Sequence, residues 1–107
     1  MKKVIILLTS VVALSTLSLR ARGKGDSAQG KNVFDQCAVC HSADTDEKKV
    51  GPSLKGLFQH NKLKNGKRVS DDNVLAQINS GGGGMPAFGD SLSQEEKDNL
   101  LAYLHSL

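Results

Sequence analysis

The sequence predicts an all-α domain, on three observations. Apolar residues recur at helical spacing in three separate segments, each segment opens on a residue suited to cap a helix, and no alternation of apolar and polar residues reads as a strand. At 107 residues the chain has room for one domain. Gly81-Gly82-Gly83-Gly84 is its one low-complexity tract, and no internal repeat is present.

Residues 1–22 are expected to lie outside that domain. Met1-Lys2-Lys3 is a basic start, Val4 to Leu14 is an apolar run broken only by Thr9 and Ser10, and the small residues Ser15, Thr16 and Ser18 follow, which is the layout of a signal peptide. Cleavage is expected between Ser18 and Gly25. The alternative is an uncleaved membrane anchor. Its apolar stretch, Val4 to Leu19, would span roughly 24 Å at about 1.5 Å per residue, short of a typical hydrocarbon core. Arg20, Arg22 and Lys24 also burden the side that must cross. Of the 14 Lys and Arg, four (Lys2, Lys3, Arg20, Arg22) leave with the leader, so residues 23–107 carry 10 basic against 11 acidic side chains. A nearly neutral domain gives no electrostatic footprint for nucleic acid. Its charge is uneven, however. Seven basic residues and no acidic one lie between Lys48 and Arg68, an asymmetry suited to steering an acidic partner.

Within residues 23–107, the first helix is expected to begin near Asp26 or Ser27. Gly30, Val33, Phe34 and Cys37 fall at i, i+3, i+4 and i+7, so this helix is expected to deliver the cysteines. Glycine inside a helix costs about 1 kcal/mol relative to alanine, so Gly30 on the apolar stripe implies a close neighbour. A short turn is expected around Leu54 to Gln59. The second helix runs from about Asp71 to Ser80, with Ser70 as N-cap, Asp71 and Asp72 in the favourable first turn, Val74, Leu75 and Ile78 on one side, and Gly81 as the stop. The third opens on Ser93, where Ser93 and Glu96 form a capping box, and carries Leu100, Tyr103, Leu104 and Leu107 on one face. Three Phe, one Tyr and no Trp leave little aromatic bulk for the core, and domains near this size often rely on a staple.

Cys37-Ala38-Val39-Cys40-His41 supplies a candidate for that staple. Cys-x-x-Cys-His is the spacing of c-type haem attachment: two thiols on one helical turn can bond to two edges of a porphyrin while the adjacent imidazole points at its iron. A Cys-x-x-Cys pair also serves zinc sites and thioredoxin-like dithiols. Zinc is poorly provided for, since beyond these two cysteines only His41, His60 and His105 remain as nitrogen donors. A dithiol oxidoreductase calls for strands alternating with helices, and none are predicted. An iron held by His41 needs a second ligand if it is to carry electrons without exchanging ligands. Met85 is the only methionine beyond the leader, and it sits in Gly84-Met85-Pro86-Ala87-Phe88 between the second and third helices. A lone methionine is more often packing, but this one has no apolar periodicity around it. His60 and His105 are the other candidates, and both read as surface residues.

From Ser27 to Leu107 the chain resembles the class I cytochromes c, in particular the short bacterial single-haem members. The resemblance rests on Cys37-Ala38-Val39-Cys40-His41, Gly51-Pro52-Ser53-Leu54, Met85-Pro86-Ala87-Phe88 and the terminal Leu101-Ala102-Tyr103-Leu104, in the family's order. It implies a small cytochrome c fold, three main helices plus short turns wrapped around one covalently attached haem c. Cys37 and Cys40 would form the thioethers, and His41 and Met85 would be the axial iron ligands. The Pro52 carbonyl would accept the free ring N–H of His41 and so set its orientation and basicity. Gly30 and Phe34 would meet the face of the last helix that carries Leu100 and Tyr103. Arg68 is a candidate for a haem propionate.

The function implied is an exported, periplasmic electron carrier and not an enzyme. Its partners would be redox proteins, membrane respiratory complexes among them, with no nucleic acid and no small-molecule substrate, and a monomer is expected. The alternative is a haem peroxidase or ligand sensor with a labile distal methionine. Two departures from the family bear on this choice. His41 and Met85 are only 44 residues apart, so the covering loop is short and a haem edge more exposed. The four glycines before Met85 are permissive and could let the sulfur leave.

Overall fold

A computed structural model describes residues 25–107, so the expected leader, residues 1–22, lies outside the described residues. Three helices follow in order: α1, Ser27–Phe34; α2, Asp71–Ser80; and α3, Gln94–His105. A 3-10 turn, Leu57–Gln59, falls within the expected Leu54 to Gln59 turn. Among the described residues strand pairing is limited to two isolated bridges, Lys62 with Arg68 and Gly82 with Met85. The all-α expectation holds. No helix among the described residues is long and apolar enough to cross a membrane.

Each helix starts where its capping residue dictates. Asp26 accepts hydrogen bonds from Ala28 N (2.8 Å) and Gln29 N (3.2 Å). Ser70 accepts from Asn73 N at 3.1 Å. Ser93 Oγ accepts from Glu96 N at 3.1 Å while Glu96 Oε1 accepts from Ser93 N at 3.0 Å, the reciprocal capping box. Helix α2 ends at Gly81, whose φ of 64° is readily adopted only by glycine.

Helix α1 departs from the expectation: it stops at Phe34 and does not reach Cys37. Past Phe34 the ladder tightens. Asp35 N bonds back only three residues, to Asn32 O, and the Gln36 side-chain amide donates to the Val33 carbonyl (3.3 Å). An acidic Asp35 at the negative end of the helix dipole adds to the disfavour. The Phe34 carbonyl then accepts from both Cys37 N (2.7 Å) and Ala38 N (2.9 Å) and carries the chain into a separate turn.

The core is small, as the aromatic-poor composition implies. Phe34, Leu57, Val74, Ile78, Leu92, Leu100 and Leu104 are its buried apolar residues. Helix α1 packs on α3. Gly30 is buried against Asn99 and Tyr103, where a Cβ would come within 1.8 Å of the Asn99 carbonyl oxygen. Phe34 and Tyr103 meet at 5.2 Å between ring centroids, tilted at 54°. The Asn99 side chain also accepts from Asp26 N at 2.7 Å, so the residue before α1 is tied to the middle of α3. The close neighbour that Gly30 implied is therefore α3.

Candidate functional site

The cysteines and the histidine share one turn that the helix does not include. Cys40 N and His41 N both donate to the Cys37 carbonyl, at 3.1 and 2.9 Å. Both thiols are half-buried and unbonded. Burial pushes the Cys37 thiol above its ordinary range, and the neighbouring Cys40 adds to the shift, so Cys37 is held as the neutral thiol.

The chain then returns over its own motif. Gly51 N donates to Cys40 O at 2.8 Å, and Lys49 Nζ donates to Ala38 O at 3.2 Å, lashing residues 49–51 across residues 38–40. This return places Gly51 against the imidazole, and a Cβ there would lie 2.5 Å from His41 Cε1. His41 Nδ1 donates to the Pro52 carbonyl at 2.7 Å. With Nδ1 so engaged, Nε2 is left with its lone pair free to act as an acceptor or metal ligand. The structure thus brings Cys37, Cys40, His41 and Pro52 together.

Met85 is organised separately. Gly82 N donates to Met85 O (2.9 Å) and Met85 N to Gly82 O (3.2 Å), closing a two-residue turn. Its central residues Gly83 and Gly84 have φ of 64° and 94°, the positive values a primed hairpin turn requires. The glycine run is therefore a closed turn and not a slack tether. Gln77 of α2 reaches the same place: its Nε2 lies 3.1 Å from Gly81 O and 3.8 Å from Met85 Sδ, while its Oε1 accepts from Asn65 Nδ2 at 3.2 Å. Periodicity reasoning missed Gln77, because a polar residue on an amphipathic helix carries no signal of its tertiary partner.

The remaining candidates sit elsewhere. His105 pairs with Asp71 at 2.5 Å and stacks on Phe58 with ring centroids 3.6 Å apart. His60 is exposed, with Nε2 3.3 Å from Lys55 O. Arg68 is exposed too, and its carbonyl accepts from Asn73 Nδ2 at 2.9 Å. No cluster of three or more His, Cys, Asp or Glu able to hold a metal ion occurs among the described residues, so the zinc alternative lacks a ligand set.

These residues fit a covalently attached haem. Two free thiols lie on one turn beside an imidazole with an available Nε2. Half-buried apolar residues, Cys37, Leu54, Leu63, Val69, Met85 and Phe88 among them, border the core without being covered by the protein itself. The unpartnered, buried Ser42 Oγ immediately follows His41.

Comparison with known proteins agrees with this geometry. The family model described as "Cytochrome C oxidase, cbb3-type, subunit III" matches residues 25–104. The chain is 33% identical over 101 residues to the cytochrome c6 of Picosynechococcus, covering 91% of this chain and 83% of that one. It is 47% identical over 55 residues to the cytochrome c2 of Blastochloris viridis, a match spanning 50% of this chain and 43% of the relative. The crystal structure of cytochrome c6 from the diatom Phaeodactylum tricornutum superimposes with a TM-score of 0.61 at 28% identity, over 77% of this chain and 93% of that chain. The chain belongs to the cytochrome c family, among its class I single-haem members. It is accordingly an electron-transfer protein with covalently bound haem c and redox-protein partners, and not an enzyme.

Proposed function

We propose that Cys37 and Cys40 form the two thioethers, that His41 Nε2 and Met85 Sδ are the axial ligands in both oxidation states, and that the protein works outside the cytoplasm after residues 1–22 are removed. Bound haem supplies the iron whose ferric–ferrous exchange carries the electron. The observation that carries the reading is the 2.7 Å bond from His41 Nδ1 to the Pro52 carbonyl. That bond selects the tautomer with a free Nε2, fixes the ring about its own axis and makes the imidazole a stronger donor. Gly51 holds the ring from the side. On the other ligand, the Gln77 amide near Met85 Sδ favours one orientation of the thioether, and the closed Gly82–Met85 turn shortens the path over which the sulfur can stray. A domain of residues 23–107, acting as a monomer in the periplasm with membrane respiratory complexes among its partners, completes the proposal.

Visible spectra of the purified protein in both oxidation states test the ligand set. The ferric sulfur-to-iron charge-transfer band is expected in the wild type and absent from Met85→Ala; a wild type without the band removes Met85 from the coordination sphere. Pigment extracted into acidified organic solvent would remove the thioethers. Intact mass of the exported protein locates the leader cut, and retention of residues 1–18 would point to an anchor instead.

A second reading, a ligand-binding haem protein with a labile Met85, draws on one observation. Gly82, Gly83 and Gly84 have nothing within 4 Å of where a Cβ would lie, so the tip of the Met85 turn is unsupported. Rapid carbon monoxide binding by the reduced protein at neutral pH would favour it.

A further inference from the structure

Lys97 occupies a position the helix itself disfavours. Aligned amides leave the N-terminal end of a helix partially positive, and Glu95 and Glu96 in the first turn of α3 suit that field, whereas an ammonium one residue later opposes it. The half-buried Lys97 side chain instead reaches out of the helix, and its Nζ donates to the Gly89 carbonyl at 2.8 Å. The same segment is gripped from α2. Phe88 N donates to Ile78 O at 2.9 Å and Gly89 N to Asn79 O at 3.1 Å, and a Cβ on Gly89 would sit 3.0 Å from that oxygen. Residues 88 and 89 are therefore clamped between the end of α2 and the start of α3, only a few residues beyond Met85.

The Met85 turn is closed upon itself by the Gly82–Met85 pair, so it moves as a unit on its two attachments. One attachment is Gly81, packed so tightly on the Met85 backbone that a Cβ would come within 2.4 Å of its carbonyl oxygen. The other is the clamp at Phe88 and Gly89. Lys97 is the side chain by which α3 holds that clamp, through a charge-assisted bond of the stronger kind.

We propose that Lys97 is a positioning residue for the distal ligand: by fixing the Gly89 carbonyl it holds the Met85 turn in place and keeps the sulfur from yielding its site to competing ligands. This rests on Met85 being the ligand. The test is titration of the ferric holoprotein with imidazole, followed by loss of the sulfur-to-iron charge-transfer band. Lys97→Met keeps the apolar stem, removes the donor and is expected to bind imidazole about tenfold more tightly than wild type. Lys97→Arg restores a cationic donor and should return the affinity to within about twofold of wild type, and Lys64→Met, on an exposed loop, should not change it. A lysine serving stability alone would lower the unfolding midpoint and leave imidazole affinity untouched. Unchanged affinity in Lys97→Met, alongside raised affinity in Met85→Ala, overturns the positioning role and leaves Met85 as ligand. A wild type that lacks the band and an affinity indifferent to Met85→Ala overturn the ligand assignment itself, and this role with it. Should Lys97→Met fail to accumulate as holoprotein, Lys97→Gln, with a shorter neutral donor, is titrated in its place, with the same expected direction and the same overturning result.

Discussion

The His41 side and the Met85 side of this protein are held in opposite ways. His41 is confined sterically: its ring is bonded to Pro52 and pressed by Gly51, with no space for one added carbon. Met85 is held by its backbone, on a turn whose glycines face open space, and its sulfur has one long contact from Gln77. The difference teaches where each ligand's constancy comes from. The imidazole is fixed by packing, which fails only if the surroundings move. The thioether is fixed by turn geometry and the anchors at the turn's base, which can yield locally while the core stays intact.

Four substitutions test that contrast, beginning with the frame both sides share. Gly30→Ala drives a methyl into the Asn99 carbonyl and separates α1 from α3; overpacking typically costs about 1–3 kcal/mol, and a backbone obstacle puts this case at about 3 or more, read as a large fall in the urea midpoint. Gly51→Ala meets a ring, which can rotate, so about 1–3 kcal/mol is expected, together with a changed ferric spectrum because the imidazole must turn. An unaltered spectrum there would mean that packing does not orient His41. Gly83→Ala meets nothing but adopts a φ of 64°, and about 1–2 kcal/mol of local strain is expected. That strain should show as weaker charge-transfer intensity with little change in global unfolding, and the reverse pattern would break the comparison. Gln77→Leu removes the neutral contact to the sulfur and the bond to Gly81, costing about 0.5–1.5 kcal/mol, with a small shift in the charge-transfer band as the measure.

How much of this was legible beforehand depends on whether the cause was local. The bounds of α2 and the start of α3 could be read because Ser70, Ser93 with Glu96, and Gly81 act on their own neighbours, whereas α3 ends at His105, short of the Leu107 to which its apolar stripe ran. Gly30 announced a close contact by breaking a local preference, and the family resemblance, not the glycine itself, pointed to the Tyr103 face of the last helix. The end of α1 was misread because the apolar stripe continued to Cys37 while Asp35 and Gln36 were already diverting the hydrogen bonds. At the site, Cys37, Cys40 and His41 follow from short spacing, whereas the contact of Pro52 with His41 came only from the family resemblance. Gln77, Asn99 and Lys97 do not: each is a polar helical residue whose partner lies in another segment, and one-dimensional periodicity contains no trace of such pairings. The glycine run was legible as permissive backbone, but the exchange of both hydrogen bonds between Gly82 and Met85, which makes it a closed turn, was not.

The bond between Asp26 and Asn99 joins positions 73 residues apart and clasps the beginning of the domain to its final helix. Most of the entropy of ring closure is spent once, at that clasp, and enlarging the encircled chain adds little: doubling a loop costs only about 0.6 kcal/mol. Segments between the clasped helices are thus free to lengthen or shrink over evolutionary time while the enclosure around them persists, and a lineage can reshape the outward face it offers to other molecules without redesigning the frame.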